Sequence, residues 1–309
     1  MIDIIGKRYY FFGLSLVIIV TGLILLGTMI SRGTLPLAID FTGGSLLEVR
    51  FADAQPSEAD IIVLYNELGV EDAKVQTTGQ GSYVIRSTVL EDETRATVVD
   101  ALSQEFGTEV TVLRFESVGP TIGEEVTARA AQAVAVAAII VAFYMTFAFR
   151  GVAHALRYGI CAIIAMIHDV GIVFSLTAIG SIFWGWQIDS LFLTALLTVI
   201  GFSVQDKVVV FDRIRENSGI YRRLNFETLV NHSIVQTLQR SINTQLMTVE
   251  FMLLALALFG GVTLREFAMI LLVGLFSGTY SSIFIAAPIL VVWEGREWRR
   301  WFRPRSAAA

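Results

Sequence analysis

The chain has 309 residues, 54% hydrophobic and 17% charged, with a net charge of −5, one cysteine and a mean hydropathy of +0.65. Soluble domains carry about 25% charged residues, so this balance excludes an ordinary water-soluble protein. One cysteine, Cys161, excludes an internal disulfide framework.

In chain order, apolar runs at about 9–30, 130–149, 156–183, 188–211, 244–260 and 266–293 each approach the ~20 residues needed to cross a ~30 Å hydrocarbon core. Six spans are predicted. The first run is followed by SRGTLPLAID, which offers no small-x-small cleavage site, so it reads as an uncleaved anchor rather than a removed signal peptide.

Residues 31–128 are different, with six basic against seventeen acidic residues, a net of −11 that leaves +6 on the rest of the chain. Lys7/Arg8, Arg150/Arg157, Arg213/Arg215/Arg222/Arg223 and Arg296/Arg299/Arg300/Arg303/Arg305 all fall on one side of a six-span layout. Lys and Arg near span ends mark the cytoplasmic side. Both termini are therefore predicted cytoplasmic, and the acidic segment is predicted to lie outside the membrane.

Within that segment the hydrophobic period switches between 2 and 3.6. SLLEVRF (45–51) alternates as a strand and EADIIVLYNEL (58–68) as a helix. AKVQTT and SYVIRS flank Gly79 and Gly81 as a hairpin; ETRATVVDALSQEF (93–106) is a helix and EVTVLRFESV (109–118) a strand. The order βαββαβ predicts a ferredoxin-like α+β domain between spans 1 and 2. It has no His or Cys and no catalytic constellation, and its acidic clusters read as solvated surface. An exposed sheet edge could accept an extended peptide, whereas nucleic acid is excluded as a partner because so acidic a surface repels phosphates.

The informative residues are ionisable groups within spans, which are costly there and mark pathways or paired sites. Asp169 lies twelve residues past Arg157, about 18 Å along a helix. Both a proton or ion site and a structural hydrogen-bonding role between helices remain open for it, as do a satisfied donor and a titrating switch for its neighbour His168. Asp206 sits on the cytoplasmic half of span 4, on one helix face with Arg213; it is too short to reach the interface and needs water, a partner or a proton. Lys207, rotated by about 100°, has a stem long enough to snorkel. LNFETLVNHSIVQTLQRSINTQL (224–246) reads as a partly amphipathic cytoplasmic helix leading into span 5. Arg240 at its mouth fits either a positive-inside anchor or a cation approaching Asp206, and Glu250 lies about 15 Å deeper.

Seven stretches in order carry a resemblance: AIDFTGGSLLEVRF (38–51), ESVGPTIGEEVTARA (116–130), HDVGIV (168–173), GFSVQDKVVVFDRIREN (201–217), QTLQRSINT (236–244), LFGG (258–261) and GLFSGTYSSIFIAAPI (274–289). On these the chain resembles the SecD/SecF protein-export family of the RND superfamily. The resemblance implies a six-span half-transporter working with a SecD-like subunit, the SecYEG channel, unfolded preprotein and membrane lipid, without a cofactor. It implies that proton flow drives late export steps, that Asp206 carries the proton and that Arg240 stands near it. This chain departs from the pattern at Gln205, where the family usually has Asn, at Lys207, where a small hydroxyl residue is usual, and at Glu250, where an apolar residue is usual. Pairing of Lys207 with Asp206 or a neighbouring acid would alter the proton path, and Glu250 facing the same cavity would compensate.

The expected organisation is span 1 with a cytoplasmic N-terminus (1–30), the outside domain (31–128), spans 2–6 with a cytoplasmic amphipathic loop at 212–243 (129–293), and a basic cytoplasmic tail (294–309). An RND half-transporter for lipids or small hydrophobic molecules, and a non-transporting scaffold recruiting a SecD-like subunit, stay open as alternatives. No nucleotide-binding loop and no nucleophile, base and orienter set is present, so an enzyme is not expected.

Overall fold

The alternation seen in SLLEVRF is realised as a strand that buries Leu47, Val49 and Phe51 on one face and turns Leu46, Glu48 and Arg50 to the other. This comes from a computed structural model, which describes residues 3–77, 81–150, 155–245, 251–260 and 262–297. The chain divides into two compact units: Pro36–Gln132 with Gln187–Ser190, and Met1–Leu35 with Ala133–Trp186 and Leu191–Ala309.

The first unit contains β1 (Gly44–Phe51), β2 (Lys74–Thr77), β3 (Tyr83–Ser87) and β4 (Val110–Val118) in the antiparallel order β2-β3-β1-β4. We number the helices in chain order, so that α1 (Arg8–Ser31) and the short α2 (Ile39–Thr42) precede β1, α3 (Glu58–Glu67) follows β1, and α4 (Asp92–Glu105) follows β3. Ser57 caps α3 by accepting from the Asp60 amide at 3.1 Å, one of the donors left free at a helix start. Leu47, Val49, Ile61, Ile85, Val98 and Leu102 form the centre of a single core, and Phe51 meets Tyr83 and Phe106 edge to face at 5.3 and 5.5 Å. The Tyr65 ring is enclosed in that core and its hydroxyl has no partner among the described residues; burial pushes its pKa up. The expected elements differ from these by at most one residue at each end, where frayed backbone follows no periodic signal. Residues 78–80 of the expected hairpin lie outside the described residues.

The paired glycines of AIDFTGG have a steric cause. Gly43 and Gly44 take φ of +72° and +116°, and a side chain on Gly44 would stand 2.6 Å from the Ser87 carbonyl oxygen. Just before them, Asp40 Oδ2 accepts from the Ser190 amide at 2.9 Å and from its hydroxyl, capping the helix that starts there. α2 and this cap carry no hydrophobic period, and the sequence reading did not contain them.

The second unit is helical: α1, the part of α5 (Pro120–Ala148) from Ala133 onward, α6 (Ala155–Trp184), α7 (Ser190–Ile220), α8 (Phe226–Gln245), α9 (Phe251–Phe259), α10 (Val262–Ser281) and α11 (Ala287–Glu294), the last two joined by a π-helical turn at Ser282–Ala286. Five helices among the described residues are long and apolar enough to cross a membrane: Ile5–Ser31, Pro120–Ala148, Leu156–Trp184, Ser190–Ile220 and Leu264–Glu294. The chain is a multi-pass membrane protein. The expected span at 244–260 is not among the five; residues 246–250 lie outside the described residues, between the end of α8 and the nine-residue α9.

Two further corrections concern helix length. α5 begins ten residues before the expected start at 130, and α7 runs on to Ile220, nine beyond the expected end at 211. Hydropathy marks where the bilayer ends, whereas the helical hydrogen-bond ladder continues into polar sequence. Close helix approach relies on glycine: a side chain on Gly22 of α1 would stand 2.5 Å from the Ser175 Cα of α6, and one on Gly274 of α10 would meet Val199 of α7 at 2.3 Å.

Candidate functional site

The same small-residue packing brings three helices together around one carboxylate. Gly278 lets α10 lie against α7, since a Cβ there would already be 3.2 Å from the Ser203 Cα. On α7, Ser203 and Lys207 are one turn apart and share a face; on α10, Ser277 and Ser281 do the same. Both pairs point at Asp169 of α6.

Asp169 is 1% exposed and Lys207 is fully enclosed. Asp169 Oδ2 accepts from Lys207 Nζ at 2.8 Å, Ser203 Oγ at 2.6 Å and Ser281 Oγ at 2.7 Å. Its Oδ1 accepts from Ser277 Oγ at 2.8 Å and faces His168 Nδ1 at 3.0 Å. The ammonium also donates to the Ser203 carbonyl at 3.1 Å and to the Ser203 hydroxyl, so each of its three donors has an acceptor. Lys207 therefore does not snorkel to the interface, and it pairs with Asp169 rather than with the adjacent Asp206. Its neighbour Asp206, turned by about 100° on the helix, faces α10, where its Oδ2 accepts from Thr279 Oγ1 at 2.8 Å.

With Asp169 ionised, the His168 hydrogen sits on Nδ1, and Nε2 is enclosed without a partner among the described residues. The imidazole stacks on Tyr280 at 6.0 Å and 22°. Tyr280 donates to the Phe11 carbonyl at 3.2 Å and accepts from Ser15 at 3.3 Å, which ties the polar core to α1. One turn beyond Lys207, Phe211 is buried against Phe149 and Tyr158, with ring centroids 5.9 and 5.4 Å away, and this aromatic triangle closes one end of the cluster.

The other residues singled out from the sequence lie elsewhere. Gln205 is exposed, on the far side of α7 from Asp169. Arg240 is exposed on α8 and makes no ion pair among the described residues; the structure does not bring it to Asp206. Arg213 pairs with Glu216 at 2.5 Å and donates to Gln236 at 2.7 Å, not to Asp206. Glu250 lies outside the described residues. Among the described residues no group of three or more His, Cys, Asp and Glu side chains is placed to hold a metal ion.

Sequence reasoning missed Ser203, Ser277, Thr279, Tyr280 and Ser281. The available signal was the pair of i, i+4 spacings, Ser203 to Lys207 and Ser277 to Ser281, inside otherwise apolar spans. A second polar cluster also went unnoticed. Arg8, nearly buried, pairs with Glu227 of α8 at 2.6 Å and with Glu297 at 2.7 Å, while the Asn231 side chain accepts from the Ile4 and Ile5 amides at 2.9 and 3.2 Å. At the start of α6, Arg157 pairs at 2.6 Å with Glu294, three residues before Glu297.

Residues 98–296 match the family described as protein export membrane protein SecD/SecF, C-terminal, and residues 34–55 match the SecD/SecF GG motif. The protein translocase subunit SecF of Anaerolinea thermophila is 65% identical over 304 residues, 98% of this chain and 97% of that one. Its counterpart in Thermobaculum terrenum is 45% identical over the whole of both chains. The crystal structure of SecDF, a translocon-associated membrane protein from Thermus thermophilus, matches with a TM-score of 0.80 at 32% identity over 96% of this chain and 39% of that longer one.

Proposed function

We propose, from the premise that the chain belongs to the SecD/SecF family of protein-export membrane proteins, that it is an auxiliary subunit of the Sec translocase. It works with a SecD-type partner, which in the longer SecDF relative is part of the same polypeptide. Proton movement through the membrane unit powers late steps of preprotein export and release at the SecYEG channel. In this reading six helices cross a bacterial inner membrane with both termini cytoplasmic, and the βαββαβ unit is a ferredoxin-like domain on the outer side.

The observation that carries the proposal is a carboxyl group, Asp206, inside a membrane-spanning helix with a single hydroxyl donor among the described residues, beside a fully enclosed ion pair. A charge moved through 100 mV releases about 2.3 kcal/mol, and an aspartate that alternates between neutral and charged forms gives that energy a place to act. Asp206 is the proposed proton carrier, within a core that also contains Asp169, Lys207 and His168. Arg240 and Glu250 are kept in the proposed pathway on their positions in the sequence, Arg240 at the cytoplasmic mouth and Glu250 deeper. Gln205 is a proposed modulator on the outward face of α7.

Vesicles containing the channel, the SecD-type partner and Asp206→Asn are expected to lose gradient-dependent enhancement of preprotein export while retaining export without a gradient. Unchanged enhancement would remove the proton role.

A further inference from the structure

Two aspartates of the membrane unit, Asp169 and Asp206, are buried among the described residues, and their surroundings differ in kind. Asp169 receives five donors on two oxygens, which together offer about four lone-pair directions. Protonating it would add a hydrogen where five donors already converge, and the Lys207 ammonium has no lone pair with which to accept it. Asp206 has one donor, Thr279, among the described residues, and retains 8% of its surface.

We propose that Lys207 is a fixed internal counter-cation that holds Asp169 permanently ionised, so that Asp206 is the one carboxyl of the core that exchanges protons. Lys207 is a positioning residue in this scheme: it touches Asp169 and sets the charge against which Asp206 works. The proposal rests on the proton-coupled function above and assigns roles to the two carboxyls within it.

Helix geometry supports the division. Lys207 is one turn beyond Ser203 and is locked to both its carbonyl and its hydroxyl, so the ammonium is held by its own helix as well as by α6. It is fully enclosed, which leaves no water to exchange with. The charged and titratable groups facing the pair are His168 from α6, Asp206 from α7 and Tyr280 from α10; α1 reaches it through the Ser15 hydroxyl on Tyr280, and Arg240 of α8 is exposed. Lys207 therefore supplies from within the bundle the positive charge that Arg240 does not bring to it here. Asp169 and Lys207 together contribute no net charge, so of the two buried carboxyls it is Asp206 that changes the charge of the core.

Infrared titration of the full chain with its partner in lipid separates the protonated carboxyl stretch from the ionised one. The native protein is expected to show a buried acid band, distinct from any that Glu250→Gln removes, that rises as pH falls. Asp206→Asn should abolish it, and the charge-neutral Asp169→Asn/Lys207→Met protein should keep it. Lys207→Met alone should roughly double the band, because an enclosed carboxylate without its cation takes up a proton. Loss of the band in the double variant, or no new acid in Lys207→Met, overturns the proposal; if Lys207→Met does not fold, the double variant still decides. Gradient-dependent export that survives Asp206→Asn would sink the proton-coupled function, while the bands would still report which carboxyl is fixed.

Discussion

In the βαββαβ unit Leu47, Val49 and Ile85 are buried while Glu93 and Glu105 are exposed; in the membrane unit Leu16, Val17 and Phe143 are exposed, and Asp169 and Lys207 are buried. The reversal follows from the solvent. Lipid gives apolar side chains no reason to hide from it, so membrane helices associate through packing and hydrogen bonds rather than by exclusion of apolar surface. A buried polar group is then a fault to be minimised in one unit and a means of assembly in the other.

The largest effect that tests this contrast is Lys207→Met. Breaking an enclosed ion pair on one side costs about 3 to 5 kcal/mol, which should lower the thermal midpoint of the full chain in detergent. Asp169→Asn/Lys207→Met should recover most of the loss, and equal losses in the two would show that the charge pair is not what matters at that site. Leu47→Ala should cost about 2 to 5 kcal/mol by opening a cavity in the βαββαβ core, read as the midpoint of chemical unfolding of that unit.

Tyr65→Phe should have the opposite sign, a gain of about 1 kcal/mol, because it removes an enclosed hydroxyl without a partner. It also carries a pH signature. The folded Tyr65 pKa is raised, so the stability tied to the neutral ring is complete below the ordinary tyrosine value of about 10 and falls as pH rises beyond it. The Phe variant should lose less stability on that alkaline side, and identical pH curves would contradict the assignment. Smallest of all, Phe143→Ala on the exposed face of α5 should shift the midpoint by less than about 1 kcal/mol. A core-sized loss there would mean that the face is covered by protein in the assembled state.

The same reversal explains what could be read in advance. Alternation exposed β1, because Leu47, Val49 and Phe51 obey a period that depends only on local geometry, and the helical period of residues 58–68 exposed α3 in the same way. The polar core was half visible. Asp169 and Asp206 stood out as costly in lipid, but the partner of each is distant in sequence: Lys207 is 38 residues from Asp169, and Thr279 is 73 from Asp206. Snorkelling weighed only the reach of Lys207 to the interface; the other expectation, a pair with Asp206 or a neighbouring acid, left the acid unnamed, and it is Asp169 of α6. Serines in an apolar span look innocuous singly, and Ser277 and Ser281 gain meaning only once Gly278 brings α10 onto α7.

The π-helical turn at Ser282–Ala286, followed by Pro288, has a consequence of its own. In an α-helix the angle between any two side chains is fixed by counting at about 100° per residue, so a rod that must mate at both ends has to satisfy both with one number. A wider turn adds a residue without the matching rotation, and so uncouples the azimuth of Ser277 and Ser281, keyed to Asp169, from that of Glu294, keyed to Arg157. The turn works as a phase adjuster between two locks on one shaft. Deleting a single residue within 282–286 would leave every tooth of both locks in place and put one of them about 100° out of register.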